Sequence, residues 1–381
     1  MNAQNILLIL QPMNDPEKDV FHMKRALRLA RRGEGRVSPN PMVGAVLVKN
    51  GRVIGEGYHE RFGGPHAEVN AFDRANESPE GATLYVTLEP CSHQGKTPPC
   101  VDRILRERPV RVVVGVSDPN PLVAGKGLAR LREAGIAVTT GVLESACRAR
   151  NEAFFKFMET GLPFVTVKFA QTLDGRIATA TGHSRWVSSG PSLKYAHRLR
   201  SLHDAILVGA GTVRTDDPDL RVRLVRGRNP LRVILDSSLS LSPEAGVFRN
   251  LEEAETVVFA TDRRDREKMK RFQDRGIEVA VVPAGKDGRV DLSAVLRALA
   301  GRGVSSLLVE GGSAVITSFV REGAADRFVA IVAPKLAGRG VETVGDLGIL
   351  AMDEAFPLRF LSIRRSGEDV VLDARPRRGG V

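Results

Sequence analysis

Three short stretches carry residues that could do chemistry together: His66-Ala67-Glu68, Glu89-Pro90-Cys91 and Pro98-Pro99-Cys100. One imidazole and two thiolates make a tripodal zinc site. They leave the fourth tetrahedral position to water, the mark of a catalytic rather than a structural metal. Zinc lowers the pKa of its water to about 7. Glu68 stands two residues after His66 on the same helical turn. It is too close to be a further ligand but within reach of that water, so it would take the water proton and pass it to a leaving amine. Singly, His66 reads equally well as a surface ring, and the cysteines as small buried apolar groups. A Pro before each Cys and a Glu two residues after the His favour the joint reading. Cys147, alone on an expected helix, reads as structural.

A second set lies downstream. Val208-Gly209-Ala210-Gly211-Thr212-Val213-Arg214 begins like a dinucleotide-binding fingerprint, but Arg214 stands where the third glycine belongs. Asp236 follows farther on than the roughly 20 residues usual for the ribose-binding acid. Glu310-Gly311-Gly312-Ser313 reads as a strand-to-helix turn whose free N–H groups could hold a phosphate. For either glycine pair a plain tight turn is the alternative.

The elements that must position these residues form two α/β alternations. In the first, Asn14-Asp15-Pro16-Glu17 opens a capped helix running to Arg32. Asn50-Gly51 joins two apolar runs, Met42–Val48 and Val53–Tyr58, as a hairpin. A helix from His66 to about Ala75 follows, with strands at Thr83–Leu88, Val110–Val116 and Ile136–Thr139 and helices at Val101–Arg108 and Gly127–Ala134. A helix Glu144–Met158 then runs into Gly161-Leu162-Pro163, a Gly/Pro punctuation that places a domain boundary there. Beyond it, strands are expected at Phe164–Phe169, Ala205–Val208, Leu231–Leu235, Thr256–Ala260, Glu278–Val282 and Ser306–Val309. Helices are expected at Pro191–Ser201, Arg263–Arg275, Leu292–Ala300 and Ser313–Glu322. The expected domains are 13–159 and 160–381, with residues 1–12 outside the fold.

Composition bounds the function. A chain of 381 residues has room for two domains. With 42% hydrophobic and 27% charged residues it is neither disordered nor collagen-like, and no apolar run suits a membrane span or signal segment. Three cysteines exclude a disulfide scaffold and point to a reducing compartment, so a cytoplasmic protein is expected. The net charge of +11 is mostly arginine and is scattered, with only 5% aromatics. A nucleic-acid binder more often gathers such charge into a stripe, whereas a dispersed positive field helps capture phosphorylated small molecules.

The run from Glu89 through Ser92-His93-Gln94-Gly95-Lys96-Thr97 to Cys100 departs from the zinc base-deaminase signature, because eight residues separate the cysteines where two are usual. With Asn40-Pro41-Met42-Val43-Gly44 and Gly64-Pro65-His66-Ala67-Glu68, it closely resembles the bacterial bifunctional riboflavin-biosynthesis family. In that family a diaminohydroxyphosphoribosylaminopyrimidine deaminase is fused to a ribosylaminouracil reductase. The resemblance covers about residues 13–375. It continues through Lys168-Phe169-Ala170-Gln171-Thr172-Leu173-Asp174-Gly175-Arg176, Gly209-Ala210-Gly211-Thr212 with Asp216-Asp217-Pro218, and Glu310-Gly311-Gly312.

The resemblance implies a cytidine-deaminase-like α/β/α sandwich followed by a dihydrofolate-reductase-like α/β domain, with Zn2+ and NADPH as cofactors. The implied substrate is a phosphorylated pyrimidine, deaminated by water and then reduced at its ribose to a ribityl chain. It also implies a homo-oligomer, dimer or tetramer, and no membrane or nucleic-acid partner. By position, Asn40, His59 and Lys96 would contact the deaminase substrate. Ala170, Trp186, Thr212, Asp216, Ser238 and the turn Gly312, Ser313, Ala314, Val315, Ile316, Thr317, Ser318 would line the cofactor. Ser184, Arg200, Leu220, Arg223 and Glu310 would line the reductase substrate. Arg200 and Arg223 are fork donors suited to a phosphate, and Trp186 offers a flat face for a ring. The plainer readings are a turn for Asn40, a surface ring for His59, a solvated cation for Lys96 and a core aromatic for Trp186.

Two alternatives share these residues. One is a deaminase whose reductase half is inactive. The other is a nucleic-acid-binding zinc protein, which needs a fourth ligand. His93 would have to supply it from two residues beyond Cys91, a tight span that leaves Glu68 idle.

Overall fold

A computed structural model describes residues 15–92, 98–120 and 124–377. Its contacts divide the chain into two units, Met1–Thr160 and Gly161–Val381. Lys96 and His93 lie outside the described residues. Among those described, no helix is long and apolar enough to cross a membrane.

The first unit is a five-stranded sheet in the order β2-β1-β3-β4-β5, formed by β1 (Gly44–Lys49), β2 (Arg52–Tyr58), β3 (Thr83–Leu88), β4 (Arg111–Val116) and β5 (Ala137–Thr140). The hairpin β1–β2 is antiparallel, β1 pairs antiparallel with β3, and β3, β4 and β5 run parallel. Asn50 and Gly51, both at positive φ, make the two-residue turn. Helices α2 (Ala67–Asp73), α3 (Cys100–Glu107) and α4 (Lys126–Glu133) bury Ala71, Ile104 and Leu131 on one face. On the other face α1 (Pro16–Ala30), α5 (Glu144–Arg150) and α6 (Glu152–Thr160) bury Met23, Cys147 and Phe155. The result is an α/β/α sandwich. The expected single helix Glu144–Met158 is two helices broken at Asn151. The Asn151 amide leaves the helix to pair with both main-chain groups of Met42 (2.7 and 2.9 Å). On the same face the Asp19 carboxylate is buried against Arg111 (2.8 and 2.7 Å) and accepts from the Tyr85 hydroxyl (3.0 Å), tying α1 to β3 and β4.

The second unit is a nine-stranded sheet in the order β11-β10-β9-β8-β12-β6-β13-β16-β15. Its parallel part is β6 (Phe164–Thr172), β8 (Ala205–Gly209), β9 (Leu231–Leu235), β10 (Thr256–Ala260), β11 (Glu278–Val281), β12 (Ser306–Val309) and β13 (Arg327–Ala333). Strands β16 (Asp369–Pro376) and β15 (Leu358–Ser366) then add antiparallel at one edge. A separate ribbon joins β7 (Arg176–Thr179) to β14 (Gly340–Glu342). Helices α7 (Gly190–Leu202), α8 (Ala210–Asp216), α9 (Arg266–Asp274), α10 (Leu292–Gly301) and α11 (Ser313–Arg321) complete the unit. Apolar clusters centred on Phe259 with Phe319 and on Ile234 with Phe272 cover the two faces of the sheet. The helix expected from Arg263 begins only at Arg266, because Asp265 caps it by accepting from the Glu267 and Lys268 amides.

Candidate active sites

In the first unit His66 is the residue just before α2, Cys91 lies in the loop after β3, and Cys100 opens α3. Their ligand atoms all lie within 4.8 Å of one another. His66 Nδ1 is 3.2 Å from Cys100 Sγ and 3.6 Å from Cys91 Sγ, and the Cys100 amide donates to Cys91 Sγ at 3.3 Å. The Cys100 thiol, and then His66, hold the Cys91 sulfur in its thiolate form near 4, against the opposing effect of burial. Cys100 is pushed well up by its Cys91 neighbour, and His66 is raised, chiefly by Cys91. One imidazole and two sulfurs converging around shared protons form a donor set that fits a borderline-soft divalent cation such as zinc. The Glu68 carboxyl is buried in the first turn of α2, and burial pushes it up to about 7.

His59, expected at the substrate, is buried with its ring edge-on to His66 at 5.3 Å between centroids. Its Nδ1 faces the Pro65 carbonyl at 3.0 Å, which can only accept, so Nδ1 carries the proton. Nε2 then accepts from the Asn40 amide at 3.3 Å, which fixes the orientation of Asn40 and leaves the Asn40 carbonyl oxygen free to accept in turn. Burial lowers the His59 pKa, which keeps the ring neutral in this role. Asn40 and His59 thus form one pair beside His66. Glu89 is also buried: one carboxylate oxygen accepts from the Asp118 and Gly125 amides (3.3 and 3.1 Å), tying the loop that carries Cys91 to the start of α4.

In the second unit a cleft of about 440 Å³ opens at the C-terminal ends of β6, β8 and β12, where parallel sheets bind ligands. Ala170, Ser184, Thr212, Asp216, Glu310 and Gly312 through Ile316 line it. The two glycine turns meet there, since the Gly312 amide donates to Thr212 Oγ1 at 3.0 Å. Their glycines have a packing reason as well: a Cβ at Gly209 or Gly311 would lie 2.8 or 2.7 Å from the Val315 side chain. Asp236 serves its own turn, accepting from Ser240 and Leu241, and is no ribose ligand of the Rossmann kind.

The remaining expected cofactor residues stand apart from the cleft lining. Thr317 and Ser318 turn their hydroxyls onto helix carbonyls, those of Ser313 and Ala314. Ser238 is exposed after β9. Trp186 is 66% exposed, with its carbonyl bound by Lys335 Nζ at 2.8 Å.

Of the substrate set, Arg200 does not present a free fork. Its Nε and Nη2 donate to Glu310 at 3.2 and 2.8 Å, and Lys168 Nζ stands 3.9 Å from the same carboxylate. Burial alone would raise Glu310, but Arg200 and then Lys168 bring it down to about 2. Leu220 is buried at a positive φ of 62°, shaping the loop before Arg223. Arg223 is exposed, with Asp219 3.6 Å away.

Sequence reasoning missed Lys168 as a cleft residue, although a lysine inside the apolar run Val165–Ala170 was a usable signal. It also missed Ile177, Ala178 and Val341, which line the cleft from the β7–β14 ribbon. Strands of three or four residues leave no period to read.

Two family models match the chain: the cytidine and deoxycytidylate deaminase zinc-binding region over residues 16–116, and the RibD C-terminal domain over residues 163–372. The chain is 46% identical over 357 residues to the riboflavin biosynthesis protein RibD of Aquifex aeolicus, covering 93% of this chain and 98% of that one. It is similar to the crystal structure of a diaminohydroxyphosphoribosylaminopyrimidine deaminase/5-amino-6-(5-phosphoribosylamino)uracil reductase from Thermotoga maritima. That match has a TM-score of 0.83 and 39% identity, covering 95% of this chain and 99% of the other. It is likewise similar to Acinetobacter baumannii RibD, with a TM-score of 0.86 and 34% identity, covering 96% and 100%.

Proposed function

Because the chain belongs to the RibD family, whose members join a deaminase and a reductase in riboflavin biosynthesis, we propose a reaction sequence and assign residues to it. Residues 13–159 deaminate 2,5-diamino-6-(5-phosphoribosylamino)pyrimidin-4-one. Residues 160–381 then reduce the ribosyl group of the product to ribityl with NADPH.

His66, Cys91 and Cys100 would hold zinc, which when bound supplies Lewis-acid activation of a water. Glu68 takes that water's proton on its carboxylate and returns it to the departing amine, which leaves as ammonia. Asn40, oriented by His59, accepts from the pyrimidine, and Lys96 contacts the same substrate. In the second half the cleft between the two glycine turns holds the cofactor, which when bound supplies the reducing equivalents. Ala170, Thr212, Asp216 and residues 312–318 position it, with Trp186 and Ser238 at its margin. Ser184, Arg200, Leu220, Arg223 and Glu310 position the substrate, Arg223 taking the phosphate.

The observation that carries this reading is the 4.8 Å convergence of one imidazole and two sulfurs beside a buried glutamate, on a chain that also holds the reductase cleft. Three free cysteines suit a reducing cytoplasm, and dispersed charge suits a small phosphorylated substrate rather than nucleic acid. The edge strand β15, with Phe360 and Ile363 exposed, supports self-association into a homo-oligomer.

Incubating the chain with zinc and the diaminopyrimidine, without NADPH, should release one ammonia per substrate and accumulate the ribosyl uracil. NADPH added afterwards should convert that product to the ribityl compound. No ammonia in the first stage would refute the deaminase half, and a persisting ribosyl product in the second would refute the reductase half.

A further inference from the structure

His197 has no role in the reading above, although it is buried among the charged groups of the reductase site. It lies on α7 three residues before Arg200, so both side chains leave the same helix face. That face grips the loop that follows Leu220 at two points. Arg200 Nη1 reaches the Arg221 carbonyl at 3.4 Å, and the Arg223 amide donates to His197 Nδ1 at 3.0 Å. Between them the Val222 amide donates to Asn229 Oδ1 at 2.8 Å. The main chain of residues 221–223 is therefore held at each successive residue, while the Arg223 guanidinium is left exposed.

An amide N–H can only donate, so His197 Nδ1 must be unprotonated and Nε2 must carry the hydrogen. Burial, and then the Arg200 charge, bring the His197 pKa down to about 4. The ring thus remains an acceptor at neutral pH, where a protonated imidazole would offer the Arg223 amide nothing.

We propose that His197 is a positioning residue for phosphate recognition by the reductase half: its Nδ1 fixes the Arg223 main chain so that the guanidinium is presented to the substrate phosphate. The proposal rests on Arg223 being the phosphate contact.

Two variants separate the acceptor from bulk and polarity. Asn places its amide oxygen where Nδ1 stands, whereas Gln of similar polarity reaches to the position of Nε2. His197→Gln should raise the KM for 5-amino-6-(5-phosphoribosylamino)uracil about tenfold, with kcat and the KM for NADPH within about twofold. It should leave the KM for the dephosphorylated ribosyl analogue unchanged. His197→Asn should restore most of the phosphate preference.

Arg223→Ala, measured in parallel, should abolish that preference. If Arg223→Ala removes the preference and His197→Gln does not, the assignment of His197 is wrong and that of Arg223 stands. If Arg223→Ala leaves the preference intact, the phosphate sits elsewhere and both assignments fail. An equal rise in KM for both substrates in His197→Gln would reduce His197 to a packing residue and overturn the proposal.

Discussion

Replacing Glu68 by Gln should slow ammonia release about 100- to 10,000-fold, the range in which a positioned proton shuttle contributes. Gln has nearly the same volume and can still hydrogen-bond, so the first turn of α2 keeps its packing. It cannot accept a proton from water or return one to the amine. Glu68 is buried and is not one of the three converging ligand groups. The variant should therefore still bind about one zinc per chain, and it should reduce supplied ribosyl uracil at the unaltered rate. Ammonia release, zinc content and NADPH oxidation on one preparation check all three. Retained deamination would remove Glu68 from its role; lost zinc would mean that it supports the metal instead.

Replacing Glu310 by Gln should cost the reductase half both activity and stability. Among the described residues the carboxylate is the one anion in ion-pair contact with both Arg200 and Lys168, and all three are largely buried. Removing it leaves two cations without compensation, for which about 3–5 kcal/mol is the usual penalty. Reduction should fall about 100-fold or more because Lys168 and Glu310 of this cluster line the cleft. The pH dependence has a definite sign. The folded carboxyl lies near 2 against an ordinary 4.5, so its stabilising contribution is complete above about 4.5 and is lost as pH falls towards 2. Urea unfolding followed across that window should show a steep loss of stability in the native protein and a shallower one in Glu310→Gln. Equal slopes would place the acid sensitivity in other carboxylates.

The residues that could be read directly from sequence were those whose chemistry is local. His66, Glu68, Cys91 and Cys100 announced themselves by type and spacing, and the structure brings the three ligand atoms together. The buried parallel strands β3, β4, β8, β10 and β12 are mostly apolar runs, which is why their positions followed from the sequence. The last third of the second sheet did not. Strand β15 reads Leu-Arg-Phe-Leu-Ser-Ile-Arg-Arg-Ser, an edge strand whose residues are nearly all exposed, so no buried face imposes an alternation. Strand β13 was missed for no such reason: Phe328–Ala333 is an apolar run on an interior strand, as readable as the others. The glycine turns were legible as turns, but their cause was not. At Gly209 the close approach of Val315 is a tertiary contact between elements far apart in sequence, while at Gly311 it comes from the first turn of the helix that follows. Arg200 likewise suggested a free phosphate fork until Glu310, 110 residues away, was seen to occupy it.

On these assignments one chain carries two chemically independent sites, one needing zinc and the other not. Chelation of the purified protein tests it most directly, with ammonia release from the diaminopyrimidine and NADPH oxidation on supplied ribosyl uracil followed together. Removing about one zinc per chain should abolish ammonia release and leave NADPH oxidation at its original rate, and added zinc should restore the first activity. Ammonia release that survives complete removal of the metal would contradict the assignment of His66, Cys91 and Cys100.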